Sequence, residues 1–116
     1  ARTLPKEHSP RAAMLAVAKD GRHFVLGGTQ VDLTRRGSLR RILAALVDAH
    51  GNGETAPRAL SSRELIDLGW PGENVREDAA ANRLRVAITT LRKLGLAEVL
   101  VTRDDGYVLN ASVVVL

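Results

Sequence analysis

Between Arg76 and Gly95 apolar and polar residues alternate with the period of an α-helix. At about 100° per residue, Ala80, Ala81, Leu84, Ala87, Ile88, Leu91 and Leu94 gather on one side, the width of a core-facing stripe. The opposite side carries Asn82, Arg85, Val86, Thr89, Arg92 and Lys93. The helix's only acids, Glu77 and Asp78, fall in its first turn, where carboxylates favour the positive end of the helix dipole. Gly95 follows as a residue able to take the positive φ that closes a helix. The middle and end of the polar face are therefore neutral or cationic.

The same reading orders the rest of the chain. From Ala13 to Leu33 the runs MLAVA, HFVL and VDL, separated by Lys19-Asp20-Gly21-Arg22 and by Gly27-Gly28, predict a small antiparallel meander of short strands. Leu39, Ile42, Leu43, Leu46 and Val47 recur at helical spacing, and Thr34 is placed to cap a helix that runs to about His50 and stops at Gly51. GNGETAPR, residues 51–58, reads as an exposed connection. Ser61-Ser62-Arg63-Glu64 offers a capping box for a short helix through Leu65, Ile66 and Leu68, which Trp70-Pro71-Gly72 ends. After the long helix, LAEVLVT and YVLN flank Arg103-Asp104-Asp105-Gly106, a strong hairpin signal. The terminal SVVVL leaves open either a last strand or a simply packed tail. Residues 1–12, with Pro5 and Pro10 and no period, suit a flexible leader or the end of an interdomain linker.

Composition narrows the chemistry. With 116 residues and 45% hydrophobic content, residues 13–116 are expected to form one domain with one core. Seventeen Lys and Arg against thirteen Asp and Glu leave a net charge of +4, which suits a polyanionic partner. The absence of Cys excludes a disulfide framework and thiolate chemistry and points to a reducing, cytoplasmic setting. No apolar run approaches the roughly 20 residues that span a bilayer. Phe24, Trp70 and Tyr107 are the only aromatic residues, too few for the stacking platforms of single-strand binders, so duplex DNA is the better-matched nucleic acid. His8, His23 and His50 are scattered, and no nucleophile motif or phosphate loop is present, so neither catalysis, a metal nor a cofactor is expected.

Taken in order, these features resemble the winged-helix DNA-binding domain of OmpR/PhoB-type response regulators, over roughly Ala13 to Asn110. The matching residues are Leu33-Thr34 before the first helix, Ser62-Arg63-Glu64-Leu65-Ile66 opening the second, Trp70 after it, Leu91-Arg92-Lys93-Leu94-Gly95 closing the third, and Thr102, Gly106 and Tyr107 in the wing. The resemblance implies an α+β winged helix-turn-helix with a short N-terminal antiparallel sheet, three helices and a C-terminal β-hairpin wing. It also implies that the long helix enters the major groove, that the wing, with Arg103, touches an adjacent minor groove or backbone, and that the start of the second helix meets phosphate. The chain departs from the family at Gly37, where a Glu is usual, and at Asp104-Asp105, where the wing tip is usually basic or Gly-rich.

Side-chain chemistry assigns parts within that scheme. Arg85 and Arg92 suit a guanine edge or a phosphate, Asn82 an adenine, and Val86 and Thr89 a thymine methyl, while Lys93 ends the cationic strip. Arg83 and Thr90, toward the edge of the face, suit phosphates, as do Ser62 and Arg63. Arg35, Arg36, Arg40 and Arg41 read as solvated surface or a contact with another domain. Trp70 and Tyr107 are assigned to the core, and Gly106 to the turn. The expected activity is sequence-specific binding of double-stranded DNA in transcriptional regulation, with other domains of a longer chain or a second protomer as further partners and no membrane. The competing reading is a protein-interaction module on the same fold, which the acidic wing tip favours.

Overall fold

The computed structural model describes residues 14–50, 58–104, 106–110 and 112–115. The expected leader over residues 1–12, the stop at Gly51, most of the connection to Arg58, and Asp105 lie outside the described residues. The architecture is mixed α+β, with two small sheets and three helices around one core.

The predicted meander is present as β1 (Met14–Val17), β2 (His23–Leu26) and β3 (Thr29–Asp32). β2 pairs antiparallel with both neighbours, and the strand period of two sends Leu15, Val17 and Phe24 into the core. The tail is a strand rather than a loosely packed end. Ser112–Val115 pairs parallel with β1, with Leu15 opposite Val113, so the sheet order places the chain's last strand beside its first described one. No local signal encodes that pairing, because parallel neighbours need a long connection between them.

Helix α1 (Gly37–His50) buries Leu39, Ile42, Leu43, Leu46 and Val47 as the spacing predicts. It begins two residues later than expected. Asp32 accepts hydrogen bonds from both the N–H and the hydroxyl of Thr34, which tie that residue into a turn, and the Arg36 carbonyl accepts the first helical N–H, from Arg40. Thr34 is therefore not the cap: its hydroxyl is engaged behind the helix rather than at its start.

Helix α2 (Ser62–Gly69) opens on the predicted box. Ser61 Oγ accepts from Glu64 N at 3.1 Å, and Glu64 Oε1 accepts from Ser61 N at 3.0 Å. These bonds satisfy donors that a helix start would otherwise leave open. The carboxyl of Glu64 is held below its ordinary range first by the Ser61 N–H and then by Arg58. At the other end Arg41 donates twice to the Gly69 carbonyl, at 3.0 and 2.7 Å, placing a cation where the helix dipole is negative.

Helix α3 (Glu77–Leu91) buries Ala80, Leu84, Ala87, Ile88 and Leu91. It passes into one wide π-type turn, Arg92–Leu96, where Gly95 adopts a φ of 141°. The expected terminating glycine is there, but the regular helix has ended about three residues earlier than the pattern suggests. The hairpin follows as β5 (Leu100–Arg103) and β6 (Gly106–Leu109), antiparallel, with Arg103 opposite Gly106.

Two corrections concern this hairpin. Arg103 and Gly106 close the ladder, so Gly106 belongs to β6 rather than to the turn, and Asp104 takes the positive φ of 55°. Gly106 serves a different purpose from the turn. The two-residue strand β4 (Leu60–Ser61) pairs with β6, and a Cβ on Gly106 would lie 2.1 Å from the Leu60 carbonyl oxygen. The expected two-stranded wing is thus the outer part of a three-stranded sheet, β4-β6-β5. This sheet joins the start of α2 to the hairpin. α1 packs against α2, α3 and β6, and Leu33, Ile42, Leu43, Leu65 and Leu91 are fully enclosed where these elements meet. Each such burial is worth about 1.5–3 kcal/mol before entropy is counted.

Candidate nucleic-acid interface

α3 is positioned from three directions. Its apolar stripe seats on α1 and α2, Trp70 and the turn after α2 lie against its first half, and the hairpin holds its end. Because the stripe is on the inner side, the 3.6-residue period leaves Asn82, Arg85, Val86, Thr89 and Lys93 exposed. Val86 is 56% exposed. Among the described residues no carboxylate pairs with Arg85, so its guanidinium is free for an external acceptor.

The other cations of the strip are differently disposed. Arg92 turns toward the hairpin: Nε donates to the Leu100 carbonyl at 3.0 Å, Nη2 to Thr102 Oγ1 at 3.1 Å, and the guanidinium lies 5.9 Å from the centre of the Tyr107 ring. Rather than extending outward like Arg85, it fastens the end of α3 to β5. Arg83 donates to Glu73 Oε1 at 2.6 Å and stands 5.7 Å from the centre of the Trp70 ring. Thr90 donates its hydroxyl to the Val86 carbonyl at 2.9 Å, back into its own helix. Trp70 and Tyr107, assigned to the core, are half-buried at its rim, and each holds one of these arginines by its ring face.

Ser62 and Arg63 stand at the first turn of α2, with Arg63 exposed. Arg103 is exposed at the end of β5, directly before the exposed Asp104. An acid at that point lowers the positive potential that the hairpin tip presents.

The largest departure from expectation is at the start of α1. Arg35 and Arg36, read as solvated surface or a contact with another domain, form one wall of a groove of about 670 Å³ whose other wall is Asn82, Val86 and Thr90. The remaining two arginines of that cluster serve the fold: Arg41 holds Gly69, and Arg40 reaches the Thr34 carbonyl at 3.5 Å. A sequence can show four arginines within seven residues. Which of them face α3 depends on how α1 crosses it, and no periodicity within α1 records that crossing.

No group of three or more His, Asp or Glu side chains among the described residues is placed to hold a metal ion, and no helix among them is long and apolar enough to cross a membrane. No protein-family model matches the chain, and no curated protein aligns with it significantly.

Proposed function

We propose that this chain is a winged-helix domain of the OmpR/PhoB kind that binds double-stranded DNA sequence-specifically in transcriptional control, with α3 in the major groove. The observation that carries the reading is the outer face of α3: Asn82, Arg85, Val86 and Thr89 are exposed together, with an unpaired guanidinium and an exposed valine side by side. An α-helix fits the major groove, where such side chains meet base edges and thymine methyls. The order of the elements supports the same reading. A capped short helix precedes α3, and a hairpin is fastened to its end by Arg92.

In this scheme Asn82, Arg85, Val86 and Thr89 read bases, and Lys93, Ser62 and Arg63 meet phosphate. Arg83 and Arg92 brace α3 in place, and Thr90 belongs with them. A second reading, a protein-interaction module, draws on one observation, the exposed Asp104 at the hairpin tip beside Arg103. Titration of a mixed-sequence DNA duplex at several salt concentrations separates the two. The DNA reading expects log K to fall with log[salt] by about 0.9 per phosphate contact. Binding that is absent at every salt concentration would overturn it.

A further inference from the structure

The groove between the start of α1 and α3 shares Asn82 and Val86 with the proposed reading face, and the chemistry of its α1 wall is one-sided. Arg35 and Arg36 are exposed, and among the described residues neither guanidinium has a hydrogen-bonded or ion-paired partner. Across from them lie Asn82, Val86 and Thr90, and Trp70 and Ala87 contribute to the floor. Among the described residues no Asp or Glu lines the groove. Acids on the neighbouring elements are engaged elsewhere: Asp32, within electrostatic range of Arg35, accepts both hydrogen bonds of Thr34, Glu73 is taken by Arg83, and Asp78, one turn before Asn82 on α3, pairs with Arg76. Two adjacent exposed arginines on an acid-free wall give the groove a positive potential that favours an anion from outside.

The position of the groove says which anion. A helix lying in the major groove has a sugar–phosphate strand running along each flank, because the groove is about 12 Å wide and a helix with its side chains nearly fills it. Asn82, Val86 and Thr90 are successive positions on one flank of α3, four residues apart, so whatever strand runs along that flank passes between them and the two arginines. We propose that this groove seats one sugar–phosphate strand of the bound duplex, with Arg35 and Arg36 gripping its phosphates from the side opposite α3. The inference rests on the DNA reading of α3. It adds a second, sequence-independent anchor supplied by α1, and it makes α1 part of the footprint rather than only its support.

The double substitution Arg35→Gln and Arg36→Gln tests it on the whole chain, with the mixed-sequence duplex as probe. Loss of two phosphate contacts is expected to reduce the magnitude of the log K against log[salt] slope by roughly 1.8, with the preferred sequence in a random-duplex selection unchanged. Arg35→Lys with Arg36→Lys keeps the charge and is expected to retain the wild-type slope. Both positions are exposed, so thermal unfolding of each variant should match that of the parent. If the parent binds with a salt-dependent affinity and the glutamine variant matches it in slope and affinity, the groove is not a phosphate seat, and the reading of α3 stands. If the parent itself shows no salt-dependent binding, both readings fall together. A glutamine variant with unchanged DNA binding that loses capture of a protein partner would overturn the phosphate assignment in favour of a protein ligand for the same groove.

Discussion

Arg85 and Arg92 are the same amino acid on the same helix, seven residues apart, and the fold gives them opposite uses. Arg85 has no acceptor within the described protein, whereas Arg92 has a carbonyl, a hydroxyl and an aromatic ring. Under the DNA reading Arg85→Ala should cost roughly 1–3 kcal/mol of affinity and relax preference at one base pair. Selection from a random duplex pool checks it, and an equal loss on all sequences would make Arg85 a phosphate contact. Helical spacing put both arginines on the polar side of α3. It said nothing of their direction, because a long side chain at the edge of the stripe chooses between solvent and a neighbouring element. For Arg92 the neighbour is β5, far enough along the chain that only folding brings its carbonyl into reach. Gly106 carries the same lesson: Asp-Gly marked a turn, but the glycine is demanded by the Leu60 carbonyl passing over β6.

The short helix α2 was the most legible element, since a capping box is local and both of its hydrogen bonds lie within four residues. Its electrostatics give a prediction with a definite sign. The folded pKa of Glu64 is lowered, chiefly by the Ser61 N–H, so the cap's contribution is fully present above the ordinary glutamate range and is lost as pH falls through the lowered value. Asp20, held down first by the Arg22 N–H, and Asp32, held down first by the Thr34 hydroxyl, act in the same direction. Urea unfolding at neutral pH and at about pH 3 should therefore show a smaller acid-induced loss of stability in Glu64→Ala than in the parent, with Asp20 and Asp32 contributing to the loss that remains. Equal losses would mean that Glu64 titrates alike in the folded and unfolded chains. α1 was legible in its buried stripe and misjudged at its start, because Thr34 has cap chemistry but Asp32 competes for it two residues away.

The parallel pairing of Ser112–Val115 with β1 closes the molecule by joining the two ends of the described chain in one sheet. Removing the chain from Ser112 onward should strip β1 of its parallel neighbour and uncover the edge of β1 at Leu15. A loss of about 2 kcal/mol or more, read from the urea midpoint, is expected, and an unchanged midpoint would show that the last strand adds nothing to stability. The amino-acid order alone determined the α+β class, the three helices with their buried stripes, the meander, the cap of α2 and a helix face suited to an anion. Each of these depends on neighbours within a few residues, through periodicity, capping or turn chemistry. Folding alone decided that the last strand lies against the first, that β4 widens the hairpin into a sheet, that Arg83 and Arg92 turn inward while Arg85 does not, and that Arg35 and Arg36 stand across a groove from α3. Those features join residues eight or more positions apart, and their geometry is set by the packing of whole elements around one core, which no local pattern encodes.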